Sequence, residues 1–453
     1  MIRRLLLWTD DRFGTATFLH HALRKAFPDH WSFMLGEINV YAFIVLVATG
    51  VFLAMWFTPG TADVVYTGPY APLYGRTVSE AYNTVLHLSF AVNGGLLIRQ
   101  IHHWAANIFV AGIVVHACRI FFTGAFRNPR ELNWIFGTLL LFAGIFEGFS
   151  GYSLPDDLLS GLGLRIAMSI LQAVPFVGED LAYFVQGGVW PSAVLLQRLF
   201  ITHVFIMPAL IAGGITVHLM ILWRQKHTQF PGPRRTEENV VGSPLFPIYA
   251  FRSFALQFAV ISVCCLLGAF VQINPVWLWG PYDPSKAISP AQPDWFAGWL
   301  DGALRIFPPF SLHIFGHYLP AILWPGLVLP LAIMGLLAVY PFAEAFLRRD
   351  RAQHHLLDRP RDVPLRLAFG CAFLTFMALL LFAGSGDLQV RYVHLPLYDV
   401  VLGYQIAVFF LPLLAFVIAY ALASGLKRSG GVHEAERVRL TRNADGGYDE
   451  EPV

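Results

Sequence analysis

The sequence predicts an all-α polytopic membrane protein with eight transmembrane helices. Three observations carry that. Of the 453 residues, 56% are hydrophobic and only 13% are charged, where a soluble domain runs nearer 25% charged. The mean hydropathy is +0.57, more apolar surface than a water-soluble core can absorb. Finally, the apolar residues fall into runs long enough to cross about 30 Å of hydrocarbon, which takes about 20 helical residues.

Those runs lie near 35–57, 94–122, 133–154, 194–223, 250–273, 318–342, 366–385 and 400–424. An even number of spans puts both termini on one side, and the distribution of basic residues agrees. The N-terminus, the connections near 120–132, 224–252 and 343–366, and the tail together hold 24 of the 31 Lys and Arg. The opposite side holds Arg76, Arg99, Arg165, Arg198, Lys286, Arg305 and Arg391. By the positive-inside rule the termini are cytoplasmic.

The start of the chain does not read as a cleavable signal peptide. Leu5-Leu6-Leu7-Trp8 is short and Asp10-Asp11-Arg12 follows at once, so the segment is expected to lie along the cytoplasmic surface. The chain divides into 1–230, a four-helix bundle, 231–425, four further spans with a long outer loop, and 426–453, a charged tail expected to be disordered. Two outer connections, 155–193 and 274–317, are too long for simple links and read as caps over a membrane site.

Several function classes are excluded. A formal charge of +2 gives no basic field for nucleic acid. The four cysteines, Cys118, Cys264, Cys265 and Cys371, sit in apolar runs and form no Cys-x-x-Cys or Cys-x-x-Cys-His motif. Any haem is therefore held without a covalent link.

The informative residues are histidines at membrane depth. His102 and His116 are 14 apart on the second span, and His203 and His218 are 15 apart on the fourth. These two spans run parallel, so the pairs match in depth, with about 21–22 Å between levels. Each pair keeps to nearly one helix face. Two such helices build two stacked bis-imidazole sites, suited to six-coordinate haem that transfers electrons. A single intramembrane histidine is ordinarily a packing residue; four in two matched pairs are not. His103 points about 100° away from His102 and reads as packing.

Glycines repeat the period. Gly36 and Gly50 on the first span, and Gly137 and Gly151 on the third, are each 14 apart. They leave room for a porphyrin at the same two depths. Arg99 and Arg198 stand outside the first histidines and Arg119 just inside His116, placed to pair with propionates or merely to mark helix ends.

At this point the chain resembles cytochrome b of the quinol–cytochrome c oxidoreductase (bc1-type) complex. The resemblance is carried by Thr84-Val85-Leu86-His87, Asn93-Gly94, Leu97-Ile98-Arg99-Gln100-Ile101-His102, Gly151-Tyr152-Ser153-Leu154-Pro155 and Pro293-Asp294-Trp295-Phe296. The segments Leu154–Gly161, Gln225–Gly232 and Leu356–Pro364 resemble the actinobacterial subgroup.

The resemblance implies two non-covalent b-type haems. His102 and His203 would ligate the outer, low-potential one, and His116 and His218 the inner, high-potential one. It also implies menaquinol as donor, a Rieske iron–sulfur subunit, a dihaem cytochrome c, an aa3-type oxidase supercomplex, a homodimer of bc protomers, and a bacterial cell membrane location. Pro293, Asp294, Trp295 and Phe296 would form the outer quinol site. Asp294 there has two readings: proton acceptor, or N-cap of the helix that follows.

At the inner quinone site the family's histidine aligns with Arg224 and its aspartate with Ser253. Lys226, His227 and Arg252 are then candidates beside Arg224, with a lipid-facing basic loop as the other reading. Two rival functions remain. A dihaem anchor of a dehydrogenase leaves four helices and the outer loop unexplained. A proton-coupled secondary transporter requires repeat-related halves, which the sequence lacks.

Overall fold

The structure, a computed structural model, describes residues 2–287, 292–314, 316–432, 438–442 and 448–452. Among the described residues, eight helices are long and apolar enough to cross a membrane: Trp31–Ala54, Gly95–Thr123, Glu131–Tyr152, Leu195–Gln225, Leu245–Phe270, Trp324–Arg348, Pro364–Gly384 and Leu397–Ser429. They coincide with the eight apolar runs, and are referred to below as the first to eighth spans. Among the described residues β-structure is confined to four two-stranded ribbons outside the spans.

The first span packs on the second, the third on the fourth, and the fifth closes against the first two. The sixth leans on the third, while the seventh pairs with the eighth. Ala42, Val45, Ala105, Phe109, Val110, Ile113 and Ile211 form one buried cluster with Val260 and Cys264 of the fifth span. In sequence, the seven named residues of the first four spans fall between the two histidine levels, and Ile101, also of the cluster, stands just outside His102. An apolar plug about two to three helical turns thick therefore separates the levels. Gly144, midway between Gly137 and Gly151, admits the Phe109 ring: a Cβ there would stand 3.0 Å from it.

The fourth span solves a phase problem. Its histidines are 15 apart rather than 14, and in a regular helix that moves their relative phase from about 40° on one side to about 60° on the other. Thr202–Ile206 forms a π-helical turn around His203, and such a turn absorbs one additional residue. Pro208 follows at the start of the next regular segment, Met207–Gln225.

The two long outer connections do form caps, and they meet. The 155–193 segment contains helices Leu158–Gln172 and Gly178–Gln186, and the later one contains Val276–Trp279 and Trp295–Ile306. Leu158 N–H donates to Gly280 O, and Tyr282 N–H to Asp156 O, both at 2.9 Å. Asp157, fully buried, starts the first of these helices with a reciprocal capping box to Ser160.

At the other end, Arg366 is 1% exposed and clamps the sixth and seventh spans to the loop between them. It donates to both Glu344 oxygens, at 2.9 and 2.5 Å, and to Asp358 at 2.8 Å. The eighth-span helix runs on to Val432, and Val438–Arg442 pairs antiparallel with Tyr448–Pro452. The remainder of the tail lies outside the described residues.

Candidate functional site

Each histidine faces one glycine of the neighbouring helix. A Cβ on Gly36 would meet His116 Cε1 at 3.2 Å, and one on Gly50 would meet His102 Cε1 at 3.3 Å. A Cβ on Gly137 would meet His218 Cε1 at 3.6 Å, and one on Gly151 would meet His203 Cε1 at 2.4 Å. The first-span glycines thus serve the second-span histidines, and the third-span glycines serve the fourth. Each half of the bundle contributes one imidazole and one bare backbone segment per level.

At the outer level the His102 and His203 ring centroids are 6.3 Å apart. Both line a cavity of about 440 Å³ together with Gly50, Gly151, Arg99 and Asp294. Their ring orientation is fixed from behind. His102 Nδ1 lies 2.9 Å from Thr49 Oγ1, whose own proton goes to Val45 O at 2.6 Å. His203 Nδ1 lies 3.1 Å from Ser150 Oγ and 3.2 Å from Glu147 Oε1. A histidine whose Nδ1–H is engaged this way presents Nε2 as a metal ligand.

At the inner level, Nδ1 of His116 and of His218 and Nε and Nη2 of Arg119 are buried without hydrogen-bond partners among the described residues. Arg99 Nε is in the same position at the outer level. Buried polar groups are nearly always paired, so the unpaired guanidinium nitrogens call for an anionic group, and the glycine cradle beside the imidazoles fits a planar, metal-bearing one.

Not every expected residue converges. Arg198 turns away from the cavity and donates to the carbonyls of Phe184 and, at 3.4 Å, Val185. Its position one turn outside His203 places it beside the Gly178–Gln186 helix, whose C-terminal carbonyls attract a cation. Of the outer-loop motif, Asp294 and Phe296 line the cavity, and Pro293 and Trp295 do not.

Asp294 stands at the N-cap of Trp295–Ile306, yet its side chain makes no capping bond. Its Oδ2 instead accepts from His103 Nε2 at 2.8 Å. His103, read from sequence as packing, is therefore part of the outer site, and the 100° offset from His102 is what aims it at Asp294. Its signal was the second histidine of a His-His pair. Glu147 and Thr49 were also missed as supports, because an acid one turn before Gly151 or a hydroxyl next to Gly50 carries no distinctive spacing.

On the inner side the four candidates do not form one cluster. Arg252 Nη1 pairs with Asp29 at 2.5 Å, Lys226 Nζ reaches Glu238 O at 3.3 Å, and Arg224 is exposed. His227 is tucked in, its ring centroid 4.4 Å from that of Phe27. Burial first, then the charges of Lys25, Arg130 and Arg119, push its pKa down to about 4.

Residues 107–281 match the family model described as cytochrome b (N-terminal)/b6/petB. The chain is 45% identical to the cytochrome bc1 complex cytochrome b subunit of Streptomyces coelicolor, over 94% of this chain and 78% of that protein. It is also 45% identical to the subunit of the same name in Mycobacterium leprae, over 97% of this chain and 80% of the relative. The chain belongs to the cytochrome b family.

This family member is accordingly an integral membrane, haem-binding electron-transport subunit of the bc1 type, the class that composes quinol–cytochrome c oxidoreductase. Its fold is shared with a solved structure titled "Hyperthermophilic respiratory Complex III", with a TM-score of 0.67 over 93% of this chain and 99% of that one at 20% identity. In cytochrome b terms, the fold supplies two histidine–glycine levels, an outer cavity bearing an acid–histidine pair, and an apolar plug between them.

Proposed function

We propose that this subunit oxidises menaquinol near the outer face, sending one electron to a Rieske protein and the other inward to a quinone site near the cytoplasmic face. The observation that carries this reading is the Asp294 carboxylate: it leaves its helix unpaired at the cap and enters the cavity shared with His102 and His203. His102 with His203, and His116 with His218, would hold one b-type haem each, with Arg99 and Arg119 supplying buried cations for propionates. When bound, the two haems supply one-electron transfer between the faces.

The chain's own residues handle the quinol and its protons. Quinol oxidation releases two protons as its electrons leave, and an acceptor must lie within hydrogen-bond reach. Asp294 accepts one of them, and His103 holds its carboxylate in place at 2.8 Å. Phe296, 2% exposed, closes the cavity between Gly148 and the plug. The meeting of the two outer caps keeps water from the site. Electrons move inward while protons leave outward, a charge separation worth about 2.3 kcal/mol per charge per 100 mV.

With no iron–sulfur cysteines and no covalent haem motif, this chain cannot complete the high-potential branch. We propose a Rieske subunit and a dihaem cytochrome c as partners, dimeric bc protomers joined to an aa3-type oxidase, and both termini in the cytoplasm of a bacterial cell. The test uses the assembled complex. Asp294→Asn, which keeps a cap-competent side chain but cannot take a proton, is expected to slow quinol oxidation by about 10²-fold at unchanged haem content, and Asp294→Glu to retain activity. Parent-like turnover by Asp294→Asn between about pH 6 and 8 would falsify the assignment.

A further inference from the structure

Two intramembrane acids are held in opposite ways. Glu344 of the sixth span is locked as an anion, with both oxygens on Arg366 and Arg348 3.4 Å away. Glu37 is the only Asp, Glu, Lys, Arg or His in the Trp31–Ala54 span, and among the described residues it forms no ion pair. Its partners are hydroxyls. Ser253 Oγ donates to Oε2 at 2.6 Å, Tyr41 OH lies 3.3 Å from the same oxygen, and Tyr249 OH donates to Oε1.

The difference matters chemically. A guanidinium only donates, so it tolerates only the carboxylate. A hydroxyl donates or accepts, so a shell of hydroxyls accommodates both the carboxylate and the neutral acid. An acid kept at membrane depth without a counter-charge is costly, and such groups usually serve function.

Location narrows the function. Gly36, the preceding residue, faces His116, so Glu37 lies at the inner histidine level. Tyr249 belongs to a wall of rings: the Phe27 centroid is 4.4 Å from those of both Tyr249 and His227, and 6.4 Å from that of Trp223. A flat ring can stack or meet edge-on with such a wall. Ser253, at the position aligned with the family's aspartate, carries no carboxyl of its own but holds that of Glu37.

We infer that Glu37 is the carboxyl group that passes a proton to a quinone bound against the Phe27–Tyr249–His227 wall, so that the acid of this site is carried by the first span instead of the fifth. This rests on the inner quinone site proposed above and names its proton donor. The quinone gains two electrons, one from each of two quinols oxidised at the outer site, and two protons, and its two carbonyls become hydroxyls. Glu37 supplies one proton and cytoplasmic water the other: the Glu37 O–H bond breaks, the carboxylate stays bonded to Ser253 and Tyr249, and a further proton from cytoplasmic water reloads it. His227 is neutral at pH 7, with its pKa pushed down to about 4, and has no such proton to give.

The test compares Glu37→Gln and Glu37→Asp in the assembled complex with menaquinone as oxidant. Two quantities are read: the rate at which quinone re-oxidises the pre-reduced inner haem with the outer site inhibited, and the infrared difference spectrum of carboxyl groups on quinone reduction. Glu37→Gln is expected to slow re-oxidation by about 10²-fold and to abolish one carboxyl band, with haem spectra as in the parent; Glu37→Asp should keep both signals. In the unmutated complex, isotopic labelling of glutamate should shift that band, a readout that needs no variant to fold. Parent-like re-oxidation by Glu37→Gln, or no glutamate band responding to quinone reduction, overturns the inference. If the unmutated complex cannot re-oxidise its inner haem with quinone at all, the inner site itself is wrong and the inference falls with it.

Discussion

His103 Nε2 and Asp294 Oδ2 meet at 2.8 Å across 191 residues of sequence, joining the second span to the outer loop. Both side chains are mostly buried, at 13% and 20% exposure. The bond holds the carboxylate inside the cavity and away from the helix end that it would otherwise cap.

His103→Ala should therefore act on catalysis through Asp294. The carboxylate is freed to turn back to the cap, and quinol oxidation is expected to fall by about 10-fold with KM for quinol and the haem spectrum little changed. His103→Asn, which can still donate to the acid, should recover part of the rate. Stopped-flow quinol oxidation on the pair separates positioning from packing. Equal losses in the two variants would mean that the imidazole only fills space.

The glycine distances rank two further substitutions. A methyl group on Gly151 stands 2.4 Å from His203, whereas one on Gly137 stands 3.6 Å from His218, an ordinary contact. Gly151→Ala should cost most of the outer haem spectrum while sparing the inner, and Gly137→Ala should be mild. Likewise His116→Leu should remove only the inner signal, because the Phe109–Ile113–Ile211 plug insulates the levels. Low-temperature optical spectra of the purified complex provide the readout, and loss of both signals from either level's variant would contradict two separate sites.

Arg366 is the centre of a structural clamp. Arg366→Met leaves the buried Glu344 with only the half-exposed Arg348, 3.4 Å away, and Asp358 with Arg127 alone among the described residues, and breaking such a buried pair costs about 3–5 kcal/mol. Adding Glu344→Gln should return part of that, since it removes the stranded charge. Thermal unfolding in detergent measures both. A double variant no more stable than the single one would show that the clamp works by shape alone.

The His227 pKa, pushed down to about 4 from its ordinary 6.5, sets a pH window. The unfolded chain binds a proton below 6.5 that the folded chain refuses until about 4, so this contribution to stability is whole above pH 6.5. It declines as pH falls, by up to about 1.4 kcal/mol per pH unit, until the folded group also titrates. His227→Gln should flatten the profile between those limits. Parallel loss of stability by parent and variant as pH falls would place the acid sensitivity elsewhere.

The sequence by itself determined the spans, the two histidine levels and the matching glycines. Hydrocarbon demands about 20 apolar residues per crossing, and a helix repeats its faces at fixed intervals, so both patterns are periodic and local. It also supplied the family motifs, from Leu97–His102 to Pro293–Phe296. What only the tertiary structure decided was partnership across distance. The pairing of His103 with Asp294, the turning of Arg198 toward the Gly178–Gln186 helix, the π-turn that brings His203 back into phase and the hydroxyl shell around Glu37 each depend on a second segment far along the chain. Nothing in the spacing of either segment reports the other. Burial and hydrogen-bond geometry select such contacts only when the helices are packed, which is why the levels and Asp294 were legible in one dimension and the partners of the proton-handling groups were not.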